Sequence, residues 1–328
     1  MLAVNYKGEL YESILRLLWR QWNELGVAGH GEGELSRRVL DPEALVVFSA
    51  VFCRYEPRLY DLMADWMVRY SRLLNPTRLK SIINSARYKD MPSLSYLAAL
   101  CVRAGDMRWK RAAECCRVAE EAELQSLFYA PDGAALYNQG ADALARQYGF
   151  RRGEYVFRNK LRQQLGFAAS TLLLNLRGVM GVTARAEVIL LLMESPCSIQ
   201  QLSDRSGFVR SAVKAVLDEL VLVNMVCPIR KKGGKSVIYS LCNRGMCPLA
   251  DAGGEVHFPR WNAVYDALGQ LWQLVSLPAM GKVSEVTFEG ELRRVFRECV
   301  RADLLCCGVP ELEAITEDSI VELPNILH

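Results

Sequence analysis

Histidine is nearly missing, with three residues, His30, His257 and His328, in a chain of 328. None is flanked by a nucleophile and an orienting acid, so His-centred acid–base or nucleophilic catalysis has no visible constellation. C-x-x-C, G-x-S-x-G, H-E-x-x-H and G-x-G-x-x-G are also missing. Gly233-Gly234-Lys235-Ser236 imitates the end of a phosphate-binding loop, but G-x-x-x-x-G-K would need glycine where Ile229 stands. No run approaches the roughly 18 apolar residues of a membrane span. The greasiest stretches, 44–53 and 188–193, are short and flanked by charge. With only 23 Gly and 12 Pro against 51% hydrophobic residues, fibrous and disordered classes are excluded, and the length suits two or three domains.

Lys7, Glu9 and Glu12 fall where an export signal would need its apolar core, so a cytoplasmic chain is expected, with its eleven cysteines reduced. The vicinal pairs Cys115-Cys116 and Cys306-Cys307, like the rest, read as buried thiols. The sharper alternative, a metal site from Cys227, Cys242, Cys247 and His257, has spacings of 15, 5 and 10 that match no common zinc module. No metal and no cofactor is expected.

Net charge is +3, but it is unevenly divided. Residues 245–328 hold 6 Lys/Arg against 13 Asp/Glu, a net of −7, leaving +10 for residues 1–244. A basic portion joined to an acidic one suggests that the former binds a polyanion.

Apolar spacings of three and four predict helices over 11–25, 43–53 (with Asp41 as N-cap and Pro42 in the first turn), 58–70 and 77–86 (behind Asn75-Pro76). The last two could form a helix-turn-helix. Within 66–89 no acid interrupts six cations, and a second nucleic-acid contact is expected from Arg72, Thr77, Arg78, Lys80 and Ser81. The helical pattern continues over 93–147, and a second cationic run, 146–162, leads to an apolar helix over 167–176.

Residues 183–241 carry the strongest pattern. Thr183 caps a helix over 184–193, Ser198 caps a short helix over 199–206, and Gly207 can take the positive φ of a tight turn. A helix over 210–222 buries Val213, Val216, Leu217 and Leu220, projecting Arg210, Ser211 and Lys214 outward. Strands over 225–230 and 236–241 flank a Gly-Gly turn and form a hairpin, with Arg230, Lys231, Lys232 and Lys235 at its tip and shoulders. Residues 178–244 hold nine Lys/Arg against five Asp/Glu, a net of +4.

The run SIQQLSDRSGFVRSAVKAVLDELVLVNMV resembles the helix-turn-helix of bacterial winged-helix transcriptional regulators. LRGVMGVTARAEVILLLM is similar to the lead-in of winged-helix proteins associated with toxin–antitoxin or phage-defence loci. The resemblance spans about 60 residues, and departs from the pattern at Val209, which stands where such regulators carry a polar cap, and at Arg205 and Ser203. It implies a mainly α fold with a small β-hairpin wing, additional helical domains, and sequence-specific binding of double-stranded DNA through Arg205, Arg210, Ser211, Lys214, Arg230, Lys231, Lys232 and Lys235. Domains are expected at 1–90, 91–177, 178–244 and 245–328. The rival readings are an antitoxin-like or adaptor module that holds a protein partner, and an enzyme or ligand sensor with an unreadable pocket. A homodimer is expected, its contact drawn from 167–176 or from the stripe Trp261, Val264, Leu268, Leu271, Trp272 and Val275.

Overall fold

Helix starts follow the capping chemistry. The computed structural model describes residues 2–28, 37–136, 142–161, 164–230, 237–242 and 256–327. Its first helix, α1 (Leu2–Glu24), begins earlier than expected because buried Tyr6 and Leu10 extend the stripe of Ile14, Leu17 and Leu18. Asp41 accepts from the Ala44 amide at 3.1 Å and opens α2 (Pro42–Phe52). Next come α3 (Pro57–Tyr70) and α4 (Pro76–Ser85), the latter capped by Asn75 Oδ1, which accepts from the Thr77 and Arg78 amides. Asp90 caps α5 (Met91–Arg103).

Beyond Arg103 the expected helical pattern fails. Gly105, at φ +99°, turns the chain out of α5, and among the described residues from there to 168 the helical pieces are a 3-10 turn, Met107–Trp109, and the short α6 (Lys110–Ala113) and α7 (Ala143–Arg146). The stretch is instead built from two-residue strands. Strand β1 (Gln125–Ser126) pairs in parallel with β4 (Phe150–Arg151), and β2 (Phe128–Tyr129) pairs antiparallel with β3 (Ala135–Leu136) across the turn at Gly133. Buried cations hold this layer. Arg54 donates to the Leu127 and Ser126 carbonyls at 2.9 and 3.0 Å, and Arg152 lies over the rings of Phe128, Tyr155 and Tyr96 while pairing with Asp61.

Three helices then pack together: α9 (Ala184–Glu194), α10 (Ile199–Ser206) and α11 (Arg210–Leu222), preceded by α8 (Leu172–Met180). A three-stranded sheet joins them, in the order β5 (Cys197–Ser198), β7 (Val237–Leu241), β6 (Val226–Arg230). Register places Val226 opposite Leu241 and Arg230 opposite Val237. The Cys242 amide bonds the Met225 carbonyl, so alternation makes Pro228–Tyr239 a non-hydrogen-bonded pair. The missing amide of Pro228 therefore costs the ladder nothing on this edge strand. Overall the described residues are mainly helical, 62% helix against 8% strand.

The C-terminal segment folds back onto the N-terminal one. Helix α12 (Trp261–Ser276) packs on α1 and α2, and α13 (Glu285–Val295) passes through a π turn at Phe296–Val300 into α14 (Arg301–Leu304). Two short helices follow, α15 (Pro310–Glu313) and α16 (Leu323–Ile326), the latter against α1. Phe48 stacks on Tyr265 at 5.0 Å, and Tyr265 donates to Gln21 Oε1 at 2.9 Å. Gly269 makes the close approach possible, because a Cβ there would meet Tyr88 Cγ at 2.2 Å. The stripe offered for dimerisation is thus core: Trp261, Val264, Leu268, Leu271, Trp272 and Val275 are all buried within one chain. In the 167–176 segment Leu172, Leu173, Leu174 and Leu176 are buried likewise, whereas Phe167 lies outside the helix and is exposed. Buried residues of the first and last quarters belong to one hydrophobic cluster.

Candidate nucleic-acid interface

Helices α10 and α11 meet at a turn whose geometry follows from three residues. Ser198 and Gln201 form a reciprocal capping box at the start of α10, and Gly207, in the left-handed region at φ +76°, ends it. Phe208 packs half-buried against the core. Val209 then precedes α11 with no side-chain cap and stands 68% exposed, leaving the first-turn amides of the helix without a side-chain acceptor. Val213, Leu217 and Leu220 anchor the inner face. Arg210, Ser211 and Lys214 are exposed on the outer face, as their spacing predicts, and no ion pair engages Arg210 or Lys214 among the described residues. An uncapped helix N-terminus beside two free cations is a locally positive surface suited to phosphate oxygens. Further along, Glu219 pairs with Arg185 of α9.

Of the hairpin cations, Arg230 is exposed at the end of β6, whereas Lys231, Lys232 and Lys235 lie outside the described residues. Arg205 requires a correction. It pairs with Glu194 and donates to the Phe258 carbonyl at 2.6 Å, while the Phe258 amide donates to Glu194 Oε1 at 2.8 Å. This side chain, 18% exposed, clamps the ends of α9 and α10 to the segment before α12 and so is engaged within the chain.

The second candidate surface splits. Arg72, Thr77, Lys80 and Ser81 are exposed, but Arg78 is buried. Its guanidinium grips Asp41 in bidentate fashion, both contacts at 2.6 Å, and reaches Glu43 Oε2 at 2.8 Å. The reason is position: Arg78 is one residue from Leu79 on a helix packed against α2, so its side chain falls over the capped start of that helix. Other cations of 66–89 are engaged within the chain, Arg87 with Asp303, Lys89 with the Ile83 carbonyl and Arg69 with Asn159. Helix α4 packs chiefly on α2, so it does not repeat the α10–α11 arrangement with α3.

Sequence reading missed the buried ionic network that joins these parts. Arg177 of α8, its side chain fully buried, donates to Glu43 Oε1 at 2.6 Å and to Glu187 Oε1 of α9 at 2.6 Å. With Arg78 and Asp41 it makes a chain of five charges linking α2, α4, α8 and α9. Burial pushes the Asp41 carboxyl up, but Arg78 outweighs it and holds Asp41 below its ordinary value. Burial pushes Glu187 up, and Arg177 only partly offsets it; Glu187 Oε2 has no partner. The signal was present as a charge inside each of three apolar stripes: Glu43 in PEALVVF, Arg177 in LLLNLRGVM and Glu187 in ARAEVILLLM.

Cys227 and Cys242 meet side by side on the outer face of the hairpin, whereas Cys247 lies outside the described residues. Among the described residues no group of three or more His, Cys, Asp or Glu is arranged to hold a metal ion, and no helix is long and apolar enough to cross a membrane. Comparisons with family models, with curated proteins and with solved structures give no match.

Proposed function

We propose that this chain binds double-stranded DNA as a transcriptional regulator and that residues 184–242 act as a winged helix. The observation that carries the reading is the N-terminal end of α11: uncapped, exposed, and bearing Arg210, Ser211 and Lys214, with no ion pair to either cation among the described residues. In a winged helix the third helix enters the major groove by its N-terminal turns, and the hairpin lies along the backbone. Arg210 would read a guanine edge in bidentate fashion, while Lys214, Arg230 and the lysines 231, 232 and 235 would hold phosphates. The reaction is binding, with no bond made or broken. Fluorescence anisotropy with duplexes selected from fragments of the source genome tests it. Arg210→Ala is expected to cost about 1–3 kcal/mol on the selected site and to lower discrimination, while Lys214→Ala weakens all duplexes alike. Equal losses for both variants on selected and random DNA would remove Arg210 from base reading.

A second reading, a module that holds a protein partner, is favoured by one feature. Leu222 and Val223, at the far end of α11, are 86% and 64% exposed. A homodimer that spans two half-sites would need such a surface, because the 261–275 stripe and the leucines of 172–176 are core.

A further inference from the structure

The turn before α11 does not stand free: it rests on α4. A Cβ built on Gly207 would lie 3.7 Å from Arg78 Cγ and 3.8 Å from Ser81 Oγ. Arg210 is three residue steps on from Gly207, a reach of at most about 11 Å. The Ser81 side of α4 therefore lies within about 15 Å of the first residue of α11, a distance comparable to the roughly 12 Å width of a major groove.

That face is Thr77, Lys80, Ser81, Asn84 and Ser85, all exposed and without an acid among them. Across a cleft of about 300 Å³ it meets Arg260, which is exposed at the start of α12. Of the two carboxylates lining that cleft, Asp41 is gripped by Arg78, and Asp204 accepts from Gln200 Nε2 at 2.6 Å. Gln200 is neutral, so Asp204 keeps its negative charge, and the two exposed cations Lys80 and Arg260 outnumber it. Hydroxyls, amides and cations are the groups that make most contacts to phosphate and sugar.

Rigidity adds a second argument. Arg78 ties α4 to Asp41 and Glu43, and Arg177 ties Glu43 to Glu187 on α9. Helix α4 and the α9–α11 unit are thus held to one another by buried charge pairs, so their surfaces keep a fixed spacing. A DNA duplex with α11 in its groove would find the α4 face already in place.

We infer that the α4 face, with Lys80, Ser81 and Arg260, is a phosphate-backbone contact that extends the α11 interface along one strand of the duplex. This rests on the DNA-binding reading and makes the second cationic segment an extension of the first rather than a separate helix-turn-helix. Burying Arg78 is then part of the device, because it seats the helix whose outer face does the contacting.

The test is the salt dependence of duplex binding for the full chain and for Lys80→Gln, Arg260→Gln and the double variant, with thermal unfolding as a check that exposed positions leave the fold intact. Each lost phosphate contact is expected to make the slope of log K against log salt shallower by about 0.9, and the double variant by nearly twice that, on selected and random duplexes alike. Unchanged slope and affinity in the double variant, while Arg210→Ala still loses discrimination, would overturn the α4 contact and leave the α11 reading standing. Absence of duplex binding by the unaltered chain would overturn both. Binding of single-stranded RNA or of an acidic protein in preference to duplex, with the same loss in Lys80→Gln, would overturn the assignment of this face to a duplex backbone.

Discussion

Replacing Arg177 by methionine removes the charge at the centre of the buried network while keeping an unbranched apolar side chain in its place. Two carboxylates, Glu43 and Glu187, then lose the cation that both contact at 2.6 Å. Breaking a buried pair by removing one partner costs about 3–5 kcal/mol, because the remaining charge is left without compensation. At about 2.1 cal/mol/K per residue, unfolding 328 residues carries an entropy of about 0.7 kcal/mol/K, so the midpoint should fall by about 4–7 °C at pH 8. The pH dependence follows from Glu187, whose carboxyl burial already holds above its ordinary value with Arg177 as the counterweight. Without Arg177 it rises further, so over a wider pH range the folded variant keeps Glu187 neutral while the unfolded chain ionises it. A group raised in the folded state stabilises below its unfolded value and loses that contribution as pH rises through the folded one. The deficit of Arg177→Met is therefore expected to be largest at pH 8 and to shrink toward pH 6, by up to about 1.4 kcal/mol per pH unit. Thermal unfolding followed by circular dichroism at the two pH values reads this directly. An equal deficit at both, or none at pH 8, would refute the view that Arg177 compensates buried negative charge.

Three further outcomes follow from packing. Trp272→Ala should destabilise the chain by about 3–5 kcal/mol with no change in mass by light scattering, since Trp272 fills the core; dissociation of an intact dimer would instead place that helix at an interface. Gly207→Ala should cost about 1–2 kcal/mol through its left-handed backbone alone, its new methyl meeting only ordinary contacts at 3.7–3.9 Å, and a neutral result in urea unfolding would contradict the turn conformation. Gly269→Ala should be the more damaging glycine change, because Tyr88 must leave its seat on α12, and an unfolding midpoint above that of Gly207→Ala would count against that packing.

What was legible in the sequence was local. The caps Asp41, Asn75, Thr183 and Ser198, the stop at Gly207 and the bounds of the helices over 199–206 and 210–222 all depend on chemistry within four residues, and the structure has them as read. The exposure of Arg210, Ser211 and Lys214 also followed, because helical period fixes a face once the apolar residues are placed. What was not legible was long-range. Nothing within reach of Arg78 in sequence shows that Asp41 lies under it, and its place among Thr77, Lys80 and Ser81 made it look like one more solvent cation. Arg205 failed similarly, its partners Glu194 and Phe258 being 11 and 53 positions away. The irregular stretch past Gly105 was read as helical because short apolar runs fit either period, and its order comes from distant cations such as Arg54.

The central claim, that the exposed first turn of α11 and the surface around it engage DNA phosphates, is tested most directly by the salt dependence of duplex binding. With about five phosphates neutralised by Lys214, Arg230 and the lysines 231, 232 and 235, log K should fall against log salt with a slope of about −4 to −5. Between about 50 and 200 mM salt the affinity should then drop by two to three orders of magnitude. A flat response, or no binding at micromolar protein in low salt, would contradict the account.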